Sequence, residues 1–253
     1  MGKVPIKNPG NTSRLNRLGK TPLHYAAQNG HYGVCKLIID NTLYKNPVTT
    51  KQKVTETGVT PLHWAARFGH LEICKLIMEK VTNKNPSTAG SNHLDCAGYI
   101  SASQQTPFHW AAEYGQLAVC KYMIEIIPDK NPATESQGLT PLHLAAFSNH
   151  LDVCKLIMDY DVDKNPKDKV GTTPLHFAAR RGNLELCRLF LDNMVFINSK
   201  WLFKPSKSQK LKESPYETAQ RYRNQEVCSL FESYVNEHKD RISHRDLDEI
   251  SMD

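Results

Sequence analysis

The sequence predicts an all-α solenoid built from short stacked helix pairs. Three observations predict it. First, one pattern recurs along the chain: GKTPLHYAAQNGHYGVCKLI from Gly19, GVTPLHWAARFGHLEICKLI from Gly58, QQTPFHWAAEYGQLAVCKYM from Gln104, GLTPLHLAAFSNHLDVCKLI from Gly138 and GTTPLHFAARRGNLELCRLF from Gly171. A degenerate sixth copy, KESPYETAQRYRNQEVCSLF, begins at Lys212. Second, the anchors Thr21, Thr60, Thr106, Thr140, Thr173 and Ser214 are spaced 39, 46, 34, 33 and 41 residues apart, a period near 33 with insertions. Third, each copy holds two apolar-periodic segments parted by Gly or Asn, as at Gly69, Gly115 and Asn149. Helices shorter than about 12 residues are marginal alone in water, so such segments must stack on neighbouring copies to share a core.

The elements follow in order within each copy. Thr or Ser supplies the cap, and the proline after it suits the first helical position. A short inner helix follows, roughly Pro141–Phe147 in the fourth copy, and then an outer helix, roughly Leu151–Asp159. The TPLHxAA signature at this period resembles the ankyrin repeat family over about residues 19–233. The resemblance implies stacked helix-turn-helix repeats joined by β-hairpin or finger loops. It divides the chain into a lead-in or partial repeat (1–18) and repeats at 19–57, 58–103, 104–137, 138–170 and 171–211. A degenerate capping repeat (212–235) and an acidic tail (236–253) complete it.

Between copies the chain carries a refrain: Lys45-Asn46-Pro47, Lys84-Asn85-Pro86, Lys130-Asn131-Pro132 and Lys164-Asn165-Pro166. The family commonly has Gly-Ala-Asp-x-Asn here, and its glycine gives a left-handed helix exit. Thr42, Val81, Ile127, Asp161 and Met194 occupy that glycine's position, so a different exit is expected. Three connections are enlarged, by 6, 13 and 8 residues relative to a period of 33. The second contains Cys96, and the third contains Trp201 with Lys200, Lys204, Lys207, Lys210 and Lys212. Loop closure grows costlier only slowly with length, so such insertions are well tolerated. Lys7-Asn8-Pro9 repeats the refrain with no helix pair before it, which suggests an uncapped first repeat capable of self-association, or an ankyrin fragment of a larger protein. The last copy, with Tyr216, Glu217, Gln220 and Arg221, is polar where inner copies are apolar, as a terminal cap requires.

Composition narrows the function classes. The net charge of +6 over 253 residues gives some attraction to acidic partners but is too small to establish nucleic-acid binding. A basic nucleic-acid-binding module is the lesser alternative, resting on the Trp201 insertion and the arginines near Arg180 and Arg221. No apolar run reaches the roughly 20 residues that span a bilayer. Nor is there a signal-peptide core, so an intracellular protein, cytoplasmic or nuclear, is expected.

The histidines His24, His63, His109, His143 and His176 recur once per copy, three residues after the anchor threonine. Copies stacked about 10 Å apart would not bring several of them to one metal ion. A Thr–His hydrogen-bond system closing each turn is the expected role. Cys35, Cys74, Cys120, Cys154, Cys187 and Cys228 each lie 14 residues after the anchor and read as small buried hydrophobes. No phosphate loop, nucleophile elbow or zinc-protease motif is present. The expectation is a non-enzyme without cofactor or metal.

What does not repeat carries the functional reading. The family resemblance implies partner binding on a concave face made by inner helices and finger tips. The two positions after each Ala-Ala pair vary while their framework does not. They supply the candidates Arg67, Phe68, Glu113, Tyr114, Phe147, Ser148, Arg180 and Arg181. Aromatic residues and arginine are enriched where interfaces gain most of their energy. The finger candidates are Lys20, Glu56, Val59, Gln105, Leu139, Lys169 and Trp201. The residues directly after each histidine, Tyr25, Trp64, Trp110, Leu144 and Phe177, are expected to pack between repeats. The expected partner is a protein, met through a segment partly acidic and partly apolar. A scaffold or adaptor is the predicted function.

Overall fold

The computed structural model describes residues 19–43, 45–49, 58–88, 104–160, 163–193, 202–203 and 213–238. The chain divides into two compact units, Met1–Ser136 and Gln137–Asp253. Unit 1 contains three inner–outer helix pairs: α1 (Pro22–Gln28) with α2 (Tyr32–Asn41), α3 (Pro61–Arg67) with α4 (Leu71–Lys80), and α5 (Pro107–Glu113) with α6 (Leu117–Ile126). Unit 2 contains three more: α7 (Pro141–Phe147) with α8 (Leu151–Tyr160), α9 (Pro174–Arg181) with α10 (Leu184–Asn193), and α11 (Pro215–Arg221) with α12 (Gln225–Glu237). In unit 1, α1 packs on α3 and α3 on α5, while α2 packs on α4 and α4 on α6. In unit 2 the inner order is α7, α9, α11 and the outer order α8, α10, α12. This is the all-helical, repeat-stacked solenoid class that the periodicity predicts.

The core follows from the repeat. Ala65, Ala66, Ala111, Ala112, Ala145, Ala146, Ala178 and Ala179 are fully buried. Their small side chains let each inner helix press closely against its neighbours. Around them lie Leu62, Phe108, Leu142 and Leu175 from inner helices, and Ile73, Ile77, Met123, Ile157 and Phe190 from outer ones, all with 2% exposure or less. Burying a side chain of this size contributes about 1.5–3 kcal/mol relative to leaving it in water. The six repeat cysteines are buried among them as free thiols. Burial pushes the Cys35 thiol up to about 11 and raises those of Cys74, Cys154 and Cys187 further. They behave as apolar packing groups.

Each inner helix begins with the same closure. The backbone N–H of Thr60 donates to His63 Nδ1 at 3.1 Å, and Thr60 Oγ1 lies 2.9 Å from that nitrogen. His63 Nε2 then donates to the backbone carbonyl of Gln105 at 3.1 Å, in the next repeat. His24 does the same with Thr21 and the Val59 carbonyl, and His143 with Thr140 and the Thr172 carbonyl. Only the neutral Nε2–H tautomer satisfies these contacts. In α11, Glu217 replaces the histidine: Ser214 Oγ accepts from the Glu217 N–H at 3.1 Å, and the Ser214 N–H donates to the carboxylate at 2.8 Å. A carboxylate can accept at the cap, but it has no N–H to donate forward.

A second ladder runs the other way, from the residue that opens each outer helix. His70 Nε2 donates to the Gln28 carbonyl at 3.1 Å, and Gln116 Nε2 to the Arg67 carbonyl at 2.9 Å. In unit 2, Asn224 Nδ2 donates to the carbonyls of Ala179 and Arg180 at 2.7 and 2.9 Å. These bonds fill acceptors that every helix C-terminus leaves open. Gly69, at φ +75°, sits beneath the Gln116 side chain, where a Cβ would collide with its amide.

The Lys-Asn-Pro refrain supplies what the absent glycine does elsewhere in the family. The outer helices leave through extended residues, Thr42 at φ −123°, Val81 at φ −119° and Ile127 at φ −73°. The exits predicted to differ at Asp161 and Met194 lie outside the described residues. In two copies the lysine then folds back: Lys45 Nζ donates to the Ile39 carbonyl, and Lys130 Nζ donates to the carbonyls of Ile124 and, at 2.7 Å, Ile127, whereas Lys164 Nζ donates to Asn193 Oδ1 at 3.2 Å. A cation there also complements the negative end of the helix dipole. In the first two copies the asparagine reaches the following inner helix, with Asn46 Oδ1 accepting from the Leu62 N–H at 3.2 Å and Asn85 Oδ1 from the Phe108 N–H at 3.3 Å, whereas Asn131 Oδ1 and Asn165 Oδ1 are buried with no hydrogen-bond partner among the described residues. The fingers carry no strand among the described residues. They close through isolated backbone bonds, such as Thr49 N–H to the Val59 carbonyl at 2.9 Å and Thr88 N–H to the Gln105 carbonyl at 2.8 Å.

Candidate partner-binding surface

The variable residues after each Ala-Ala pair sit at the inner-helix C-termini. There the chain turns before the outer helix, so their side chains leave the core. In unit 1 this brings together Arg67, Phe68 and Tyr114 with the packed rings of Trp64 and Trp110. Phe68 and Tyr114 are 44% and 41% exposed, whereas Trp64 and Trp110 are buried. Phe68 stacks nearly parallel to Trp64, with ring centroids 6.1 Å apart, and Trp64 meets Trp110 edge to face at 5.6 Å. The Arg67 guanidinium carbon lies 4.4 Å from the Tyr114 ring centre, 5.5 Å from Trp64, 5.6 Å from Phe68 and 5.8 Å from Trp110. Lys20 Nζ lies 3.6 Å from the Trp64 ring centre. The cluster combines an exposed apolar surface with positive charge. Partial burial, and then the neighbouring Glu113 charge, raise the Tyr114 phenol above its ordinary value, so it stays neutral.

Unit 2 uses the same positions differently. Phe147 is only half-exposed. It packs edge to face on buried Phe177 at 5.7 Å, under the Arg181 guanidinium at 4.5 Å. Arg181 Nε also donates to the Phe147 carbonyl at 3.1 Å. Arg180 stacks on Tyr222 at 4.8 Å, and Arg221 pairs with Glu213 at 2.5 Å. Ser148 is half-buried. Phe147 thus owes much of its position to packing within its own unit, while Phe68 and Tyr114 present open rings.

The finger candidates divide. Lys169 is exposed. Lys20, Val59, Gln105 and Leu139 are buried, at 6%, 1%, 1% and 3% exposure, and this corrects the expectation that they stand at open finger tips. The reason is visible at Val59 and Gln105. Their carbonyls accept the histidine of the preceding repeat, which draws the backbone before each cap into the stack. Glu56 and Trp201 lie outside the described residues, as does Cys96. The residues after each histidine pack as expected at Trp64, Trp110, Leu144 and Phe177, but Tyr25 is 41% exposed.

Sequence reading missed the two roles that the refrain plays. Its only signal was the fourfold recurrence of Lys-Asn-Pro at helix exits, which pattern alone could not turn into a geometry. Among the described residues no group of three or more His, Cys, Asp or Glu converges as a metal site. Nor is any helix among them long and apolar enough to cross a membrane.

Stacked helix pairs, with a Thr–His lock at the five inner helices before α11 and variable residues at each turn, define a helical-repeat protein. Ankyrin-repeat family models match residues 4–89 and 87–168 as runs of repeats, and a single-repeat model matches residues 170–200. The chain belongs to the ankyrin-repeat family. The sixth copy lies beyond these matches and is identified by the helices α11 and α12. No curated protein matches the chain.

Proposed function

We propose that this protein is a non-catalytic interaction module, a scaffold or adaptor that binds a protein partner on its inner-helix, concave face. The residues proposed to carry it are Arg67, Phe68, Glu113 and Tyr114 in unit 1, and Phe147, Ser148, Arg180 and Arg181 in unit 2. The observation that carries the reading is the pair of open rings, Phe68 and Tyr114, on turns whose preceding helix is otherwise buried. Large apolar side chains clustered on one exposed face mark interaction sites more often than scattered ones do. Arginine beside them suits a partner segment partly acidic and partly apolar. The free buried thiols suit a reducing, intracellular setting. The test is unbiased affinity capture with the wild type and the Phe68→Ala/Tyr114→Ala/Phe147→Ala variant. A partner captured only by the wild type, with both proteins equally folded by circular dichroism, supports the reading. Identical captured sets would remove it.

A second reading concerns the first repeat and is favoured by its own observation. Tyr32, Val34 and Leu37 of α2 are 44%, 48% and 66% exposed. Val34 and Leu37 have as counterparts Ile73 and Leu76 in α4, which packs on α2, and these are 2% and 8% exposed. We propose that this apolar face mediates self-association with a second copy. Sedimentation at low micromolar concentration should show mass above monomer, and Leu37→Glu should return it to monomer without loss of helicity. A wild type that sediments as monomer throughout would overturn it.

A further inference from the structure

The arginines of the inner-helix turns are not equivalent. Arg181 already donates to the Phe147 carbonyl, and Arg221 is paired with Glu213. Arg180 lies over Tyr222 and has further interactions of its own. Arg67 differs: no Asp or Glu among the described residues pairs with it, and its buried Nε has no hydrogen-bond acceptor. What holds it is the aromatic cluster, with the Tyr114 ring 4.4 Å away and three further rings within 5.8 Å. Lys20 adds a second positive charge over Trp64.

A guanidinium offers five donors in a planar fork, and its natural complement is a carboxylate. Here the fork is partly desolvated, laid on π surface and, among the described residues, in no salt bridge. Stacking fixes its orientation before any ligand arrives, which lowers the entropy cost of binding. On either side are the open rings of Phe68 and Tyr114, which take an apolar side chain and not a second charge.

Resting on the proposed binding role of this face, we propose that Arg67 is its specificity-determining residue. It selects an internal Asp or Glu of a partner peptide, with an adjacent apolar side chain seated on Phe68 and Tyr114. A singly charged carboxylate fits better than a phosphate, which would call for several exposed cations, whereas Lys20 is buried. The partner is therefore an acidic-apolar protein segment.

The test uses the full chain and an array of 12-residue peptides of Gly, Ser and Ala carrying a central Glu-Leu or Asp-Leu pair. Matched peptides carry Gln-Leu, Glu-Ser and phosphoserine-Leu. Hits are then titrated by tryptophan fluorescence, since Trp64 and Trp110 border the site. Binding by the Glu-Leu or Asp-Leu peptides should fall about tenfold or more with Gln-Leu, and by a similar factor in Arg67→Gln, as expected on losing a charged hydrogen-bond pair. Arg67→Lys, which keeps the charge and loses the fork, should recover only part of it. Thermal melting of each variant shows that it is folded. Binding that depends on Phe68 and Tyr114 but tolerates Gln for Glu would leave the interaction face standing and overturn the role of Arg67. Tighter binding of the phosphoserine peptide would also overturn it. The absence of any carboxylate-dependent hit would do the same. Binding indifferent to Arg67, Phe68 and Tyr114 alike would remove both the proposal and the face it rests on.

Discussion

His63 makes two hydrogen bonds that only a neutral imidazole can make together, one at its own cap and one to the next repeat. Replacing it with alanine leaves the Gln105 carbonyl without its donor and the cap open, and adds a cavity. His63→Ala should therefore destabilise the fold by about 2–4 kcal/mol, measured by urea unfolding. The same geometry fixes a pH response. Burial, the dominant cause, depresses His24 and His143 to about 4 and His63 and His176 to about 3. The unfolded chain protonates these groups near their ordinary value of about 6.5, so below that pH it binds more protons than the folded chain. Stability should be fully present above about pH 6.5 and should fall progressively as pH drops towards 4, by about 1.4 kcal/mol per pH unit for each histidine fully linked. Urea midpoints that do not change between about pH 7 and about pH 5 would contradict it. Both ladders, His and Cys, were legible because they recur at fixed offsets. Val59 and Gln105 were misread as open finger residues. Sequence shows that they vary, but not that their carbonyls are held by a histidine 35 or 42 residues earlier.

Among the elements, the inner helices were the most legible. Thr-Pro at the start and Ala-Ala on the buried side specify both the cap and the close approach. The outer-helix exits were not. Losing the family's glycine forbids nothing by itself, since a lysine three or six residues on can satisfy carbonyls at the helix end, and only the folded chain shows that it does. Lys130→Met keeps most of the side chain's bulk and removes the donor to Ile124 and Ile127. It should cost about 0.5–1.5 kcal/mol in urea unfolding, with amide exchange quickened chiefly in the last turn of α6. Uniform quickening across unit 1 would show that the lysine is no local cap. Tyr25 was expected to pack like Trp64 and Trp110. It follows the same motif, yet burial at that position depends on what lies against the helix, which the motif does not encode.

At the scale of the molecule, the fold was legible because one repeat, read once, is confirmed by its neighbours. The proposed binding face was less legible for the same reason. Variation at the turns marks freedom from the fold, and freedom looks alike whether or not a partner uses it. The structure adds discrimination: Phe68 and Tyr114 remain open beside Arg67, which has no Asp or Glu partner among the described residues, while Phe147, Arg181 and Arg221 are engaged within unit 2. The most direct test is calorimetric titration of a captured protein partner into the wild type, the Phe68→Ala/Tyr114→Ala variant, and a control carrying Lys155→Ala/Asp159→Ala on the exposed side of α8. The double aromatic variant should lose at least about 2 kcal/mol of binding, as hot-spot residues do, while its melting curve and the control's affinity stay at wild-type values. Equal affinity of all three proteins would contradict the claim that this face is where the protein acts.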